Sequence, residues 1–413
     1  MPLKISIKTT LPGPHSAKIL NELKQRNGGF GITHEYVHSG EGQGSYFEDI
    51  DGNAFLDFAS QVASNPLGYN HPKLLNVLKE YQNVSPIKYG GQDFTIIEHL
   101  EMIQKLTSIT PKKLDTAFLC NSGAEANENS IKIAMRKRKE TKFGISFTNG
   151  WHGRTIGALS LTNSKSLHTK HYLKIPVKRL PFNENAEEEL ERIIQSEADP
   201  NEIGFIIMEC IQGEGGYHIA KKEMVQDIRK KCKKYGIPLI MDEVQSGIGR
   251  TGKWWAFQHY GIEPDIMSSA KALQVGACIS SKKMFPESGA ISSTWGGGHI
   301  LDLAMGMTII DEIKKKKLLK NAEKKGKEIQ KRLFELKEKT KIENVRGIGL
   351  MQAFDLENAQ EKKEFIHECF KKGLIVLGCG INTIRIIPAL NVNEKELNEG
   401  MNIIEETAKK RSR

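Results

Sequence analysis

Cysteine is scarce in this sequence. Six residues fall at positions 120, 210, 232, 278, 369 and 379, with no CxxC pair. That spacing argues against a disulfide framework and a zinc site, so no metal is expected; it fits reduced thiols in a cytoplasm. Long apolar runs are also missing. The stretch Ile300–Ile310 is too short to span a bilayer and contains Asp302, so no membrane partner is expected. The first residues, Met1-Pro-Leu-Lys-Ile-Ser, lack the apolar core of a secretion signal. Aromatics are absent from the lysine-rich segments 313–317 and 409–413, although the net charge is +10. Base stacking needs aromatic faces, so the basic residues read as solvated helix surface and no nucleic-acid partner is expected. A 38% hydrophobic and 27% charged composition belongs to a soluble globular protein.

Residues 1–45 are polar and glycine-containing and read as an arm with entry loops. Two apolar runs around Asp51-Gly52 predict a hairpin. The turn-rich stretch Ser60-Gln61-Val62-Ala63-Ser-Asn-Pro then follows a strand, where loops often line sites. Pro72–Tyr81 reads as a helix. From about 90 to 310, helical segments alternate with short apolar strands at Thr116–Cys120, Gly144–Thr148, Gly204–Met208, Pro238–Met241, Ile266–Ser268 and Ala277–Ser280. Such alternation predicts an α/β fold, a mostly parallel sheet sandwiched by helices. Ligands in these folds sit at the carboxyl ends of strands. From 318 a long helix, short strands and a last helix from Glu394 predict a small α+β domain. The expected division is 1–85 (arm and part of the small domain), 86–317 (large domain) and 318–413 (the rest of the small domain).

Chemistry-bearing residues cluster at the predicted strand ends. Lys271 follows an apolar run, and Asp242 ends another. A desolvated lysine is a Schiff-base candidate, and a buried carboxylate suits a pyridine nitrogen. Taken alone, each is as readily a residue leaving the core. Ser122-Gly123-Ala124-Glu125 opens a helix with a capping-box pattern, and free N–H groups there suit a phosphate. Trp151 could stack on a planar ring, and Arg154 could grip a carboxylate. Either could instead be structural. Glu209 and Glu214 lie on a glycine-rich loop, whose flexible backbone would let an acid move, although a simple turn would read the same. Arg385 lies in an apolar strand and needs an anionic partner.

Six ordered motifs carry a resemblance over roughly residues 45–390. They are Asn121-Ser-Gly-Ala-Glu-Ala-Asn-Glu, His152-Gly-Arg-Thr, Gln212-Gly-Glu-Gly-Gly, Asp242-Glu-Val-Gln-Ser-Gly, Gly249-Arg-Thr-Gly and Lys271. The sequence resembles the class III aminotransferases, pyridoxal-phosphate enzymes of fold type I, whose large domain carries a seven-stranded sheet. The resemblance implies that Lys271 holds the cofactor and shuttles the proton. Asp242 would keep the ring nitrogen protonated. Val244 and Trp151 would cover the ring faces, with His152 beside them, and Gln245 would reach the phenolic oxygen. Ser122, Gly123 and Ala124 would bind the phosphate, and Thr294 would reach the phosphate of the neighbouring subunit in a homodimer. Arg154 would hold the donor's distal carboxylate. Glu214 would mask Arg385 for a terminal-amine donor and release it for 2-oxoglutarate, with Gln61 and Val62 lining the substrate site.

Finer motifs resemble L-lysine 6-aminotransferases (Ser160-Leu-Thr-Asn-Ser-Lys, Leu273-Gln-Val and Ser293-Thr-Trp-Gly-Gly) or 4-aminobutyrate aminotransferases (Gly252-Lys-Trp-Trp-Ala and Leu377-Gly-Cys-Gly). The expected reaction moves a terminal amino group from an amino acid such as L-lysine to 2-oxoglutarate, giving a semialdehyde and glutamate. Alternatives are 4-aminobutyrate, then ornithine or acetylornithine, and more remotely racemisation or amine migration on the same fold.

Overall fold

The computed structural model describes residues 3–29, 31–84, 94–138, 140–291 and 297–411. The chain forms two compact units, one from Met1–Asn76 with Lys320–Arg413 and one from Val77–Leu319.

The second unit is built on a seven-stranded sheet. Its strands are β1 (Thr116–Cys120), β2 (Phe143–Phe147), β3 (Val177–Leu180), β4 (Ile203–Met208), β5 (Leu239–Asp242), β6 (Ile266–Ser269) and β7 (Gly276–Ser280). The spatial order is β1-β7-β6-β5-β4-β2-β3. Only β7 runs against its neighbours, β1 and β6, while the other pairs are parallel. Strands β4, β5 and β6 are buried along their whole length. That is why they read as unbroken apolar runs. The edge strand β3 is Val-Lys-Arg-Leu and was not among the predicted strands, because an edge keeps one side polar. The helix Gly123–Lys137 packs Ile131, Ile133 and Ala134 onto Phe205, Ile207, Ile240 and Ile266. Fully burying each isoleucine or phenylalanine there stabilises by about 1.5–3 kcal/mol, which fixes the sheet and therefore its strand ends. Among the described residues no helix is long and apolar enough to cross a membrane.

The first unit holds two four-stranded sheets. One orders His38–Gln43, Tyr46–Asp49, Ala54–Asp57 and Leu374–Ile375; the other Glu343–Ile348, Met351–Asp355, Thr383–Ile386 and Leu377–Cys379. The predicted Asp51-Gly52 hairpin is present, with Phe47 opposite Phe55. Phe55 stacks on Phe370 at 5.4 Å, so the C-terminal segment closes this core.

The N-terminal stretch differs from the expected arm and loops. It contains a helix over Pro14–Arg26 and a strand over His38–Gln43. Pro14 opens the helix and has no N–H to satisfy. The N–H groups of His15 and Ser16 are accepted by the Asp51 carboxylate, each at 2.8 Å. This cap comes from the hairpin turn, so no local signal announces it.

Candidate active site

The end of β5 is the electrostatic centre of the second unit. Asp242 is 5% exposed. Its Oδ2 accepts from Asn127 Nδ2 and from His152 Nδ1, both at 2.8 Å, and its Oδ1 accepts from Val244 N at 3.0 Å. Asn127 also donates to the His152 carbonyl at 2.7 Å, tying helix, loop and strand together. The His152 ring is buried and turned onto Asp242. Asn127 carried no signal of its own in the sequence. It stands inside a helix at a buried position, where a polar side chain requires a partner.

Two further loops converge on the same end of the sheet. Glu209, just past β4, accepts from Trp151 N at 2.9 Å and from Gly213 N at 2.8 Å. Burial pushes its carboxyl well above the usual carboxylate range, opposed by the His152 ring and reinforced by the Asp242 charge. The glycines around Glu214 correct the expectation of a flexible loop. A Cβ on Gly213 would lie 2.6 Å from Gln245 Nε2, and one on Gly215 would lie 2.5 Å from the Asn149 carbonyl. These glycines permit close packing, and all three of Gly213, Gly215 and Gly216 are buried. Tyr217 closes the turn with φ +55° and donates its hydroxyl to Gln245 Oε1 at 2.8 Å.

Lys271 follows β6 by two residues. Its φ of +48° places a non-glycine residue in the left-handed region, at a cost of about 1–2 kcal/mol. Leu273 N bonds the Ala270 carbonyl, and both Gln274 N and Gln274 Nε2 bond the Lys271 carbonyl, so the strained geometry is held by bonds within its own turn. At the end of β1, Ser122 caps its helix by accepting from Glu125 N at 3.2 Å. Glu125 reaches back to Asn121 N at 2.7 Å, one residue beyond a standard capping box. The cap satisfies only part of the first turn, leaving Gly123 and Ala124 at the positive end of the helix dipole. Gly123 has no room for a side chain: a Cβ would stand 2.7 Å from Val244 Cγ1.

Arg154 is exposed beside these loops. Its guanidinium lies 5.2 Å from the Trp151 ring centroid, and its Nη2 is 3.3 Å from His168 Nε2. The His168 ring meets Trp151 edge-on at 5.0 Å. Desolvation, then the charges of Arg154 and Lys165, lower the His168 pKa, while Glu214 raises it. Glu214 is therefore close enough to act on the ring that touches Arg154. His168 went unrecognised in the sequence because it sits in a short helical turn, Ser166–Thr169, among exposed residues.

Three other expected site residues belong to the first unit. Arg385 is buried in Thr383–Ile386, between Ala353 and Leu377 in register. Gln61 and Val62 lie in a turn whose four residues, Ser60–Ala63, all have φ between +47° and +67°. Thr294 lies outside the described residues.

Residues 31–408 match the family model for aminotransferase class-III. The chain belongs to the class III aminotransferases. It is 35% identical to an acetylornithine aminotransferase of Archaeoglobus fulgidus, over 90% of this chain and 96% of that one. It is 30% identical to a 4-aminobutyrate aminotransferase of Dictyostelium discoideum, over 98% and 91%. Among solved structures, a lysine aminotransferase from M. tuberculosis superposes with a TM-score of 0.88 at 26% identity, covering 95% of this chain and 98% of that one. The cofactor of this aminotransferase is pyridoxal phosphate. The residues present fit that group. A carboxylate offers about four acceptor positions. Three at Asp242 are used by Asn127, His152 and Val244, which leaves one on Oδ1 for a protonated ring nitrogen. Gly123 packs directly against Val244 at the helix start, where free N–H groups suit a phosphate.

Proposed function

We propose that this aminotransferase moves a terminal amino group from an amino-acid donor to 2-oxoglutarate, with L-lysine as the donor. Bound pyridoxal phosphate supplies an electrophilic carbon for the amine and a ring that withdraws electrons from the carbon losing its proton. Lys271 Nζ holds the cofactor and, once free, carries that proton. Asp242, held by Asn127 and His152, keeps a proton on the ring nitrogen. Ser122, Gly123 and Ala124 bind the phosphate, Val244 and Trp151 bracket the ring, and Gln245 donates to the phenolic oxygen. Arg154 takes the carboxylate at the far end of the donor, and Arg385 takes the α-carboxylate of the acceptor. Gln61 and Val62 line the substrate site. The working unit is a homodimer in which Thr294 serves the neighbouring phosphate.

The observation that carries the reading is the grouping of Arg154, Trp151 and His168, with Glu214 acting on the same histidine. An exposed guanidinium braced by an aromatic face and an imidazole is suited to gripping a carboxylate. Lysine as the donor is supported by the Leu273-Gln-Val segment and the lysine aminotransferase likeness. N-acetylornithine is the second reading, favoured by the 35% identity to an enzyme of that name.

The deciding experiment follows the visible absorbance band of the holoenzyme during titration with L-lysine, N-acetylornithine and 4-aminobutyrate. Loss of the band with lysine alone supports the proposal. Loss with N-acetylornithine alone replaces lysine by the second reading. A band that survives Lys271→Ala overturns the assignment of the lysine. Glu214→Ala should slow the terminal-amine half-reaction more than the α-amino one in single-turnover measurements; equal losses refute its role in separating the two.

A further inference from the structure

We propose that Tyr217 is a positioning residue that fixes the orientation of the Gln245 side-chain amide, so that its Nε2 faces the cofactor. The inference rests on the reading that Gln245 meets the phenolic oxygen of pyridoxal phosphate.

A glutamine amide is ambiguous by shape. Turned one way it presents N–H to its neighbour, and turned the other way it presents a carbonyl. A phenolic oxygen that carries negative charge is stabilised by the first and repelled by the second. Something must choose between them. In this chain the hydroxyl of Tyr217 donates to Gln245 Oε1 at 2.8 Å. That bond consumes the carbonyl and leaves both hydrogens of Nε2 for another partner. Among the described residues it is the one hydrogen bond made by the Gln245 side chain.

The rest of the loop holds Tyr217 where it can do this. The tyrosine is fully buried, and its φ of +55° is a conformation that a side-chain-bearing residue enters at a cost. Its N–H bonds the Gln212 carbonyl at 2.7 Å, and Gln212 Nε2 bonds the Thr148 carbonyl at 2.6 Å. Gly213 lies so close to the Gln245 amide that a Cβ would approach Nε2 to 2.6 Å. The amide therefore sits between a backbone that tolerates no bulk and a hydroxyl that donates to its Oε1.

The test is a pH titration of the visible absorbance of the holoenzyme, compared for wild type, Tyr217→Phe and Gln245→Leu. A donor on the phenolic oxygen stabilises its anion, so losing that donor makes the oxygen hold its shared proton more tightly. The midpoint should rise. One hydrogen bond corresponds to about one pH unit, which is the shift expected for Gln245→Leu. Tyr217→Phe keeps the ring and its packing, lets the amide turn over, and should raise the midpoint by about half a unit. The affinity of the apoenzyme for pyridoxal phosphate should fall severalfold in the same order. A shift with Gln245→Leu but none with Tyr217→Phe overturns the role of Tyr217. No shift with Gln245→Leu overturns the placement of Gln245 itself, and the inference with it. A merely structural role for Tyr217 would lower the melting temperature and leave the midpoint unchanged.

Discussion

Ser60, Gln61, Val62 and Ala63 have φ of +47°, +48°, +59° and +67°. Each such L-residue costs about 1–2 kcal/mol, so the turn holds roughly 4–8 kcal/mol of unfavourable backbone energy. Asp57 opposes it. Its Oδ1 accepts from Ala59 N at 2.7 Å and Ser60 N at 2.8 Å, and its Oδ2 accepts from the Tyr69 hydroxyl at 2.8 Å. At an ordinary exposed position, glycine is less stable than alanine by about 0.5–1 kcal/mol because it loses more entropy on folding. At Gln61 the sign should invert. Glycine escapes the left-handed penalty, so Gln61→Gly should be more stable than Gln61→Ala by about 0.5–1 kcal/mol. The comparison cancels the loss of the glutamine side chain, which both variants share. Urea denaturation followed by circular dichroism measures the difference. An alanine variant as stable as the glycine variant, or more so, would refute the strain argument. Asp57→Asn should destabilise by roughly 2–3 kcal/mol, since the bonds to Ala59 N and Ser60 N lose their charge assistance and the buried Tyr69 hydroxyl loses its acceptor.

Two further perturbations address the second unit. Burial pushes the Glu243 carboxyl up to about 7, although it accepts from Ala256 N, Phe257 N and Ser246 Oγ. A carboxyl whose pKa is raised by folding binds its proton more tightly in the folded state, so its contribution is full below about 4.5 and is lost as pH rises to about 7. Over that window wild type should lose about 3 kcal/mol relative to Glu243→Gln, as measured by denaturant midpoints at pH 5 and pH 8; parallel pH profiles would disprove the assignment. Glu209→Gln leaves one acceptor where two N–H groups are held, so the amide of Trp151 or of Gly213 should exchange hydrogen at least about tenfold faster while Ile206 and Ile207 in β4 stay protected. Unchanged protection at both amides would show that Glu209 does not join the two loops.

The parts of this enzyme that were legible in the sequence share one property: the signal is local. Strands β4, β5 and β6 are unbroken apolar runs because both faces are covered, and Asp242 and Lys271 stand out as the charges that end or follow them. Ser122 and Glu125 mark a helix start within four residues. What was missed is held from a distance. The helix Pro14–Arg26 takes its cap from Asp51. Asn127 looks like an ordinary polar residue until the fold brings Asp242 to it, and Glu209, legible as an acid after a strand, shows its partners Trp151 and Gly213 only in the fold.

The glycine-rich loop carries this reasoning one step further, because there the local signal pointed the wrong way. Three glycines beside a glutamate suggested backbone freedom. A glycine, however, satisfies two different needs, a wide range of dihedral angles and the absence of a Cβ, and sequence alone does not separate them. Here the second need governs at two of the three: Gly213 lies against Gln245 and Gly215 lies against Asn149, while Gly216, with φ +123°, uses the first, and Glu209 pins the loop to Trp151. If Glu214 changes partners between half-reactions, it does so by rotating its own side chain above a fixed backbone. A fixed backbone would keep Tyr217 and Gln245 in register with each other while that side chain turns.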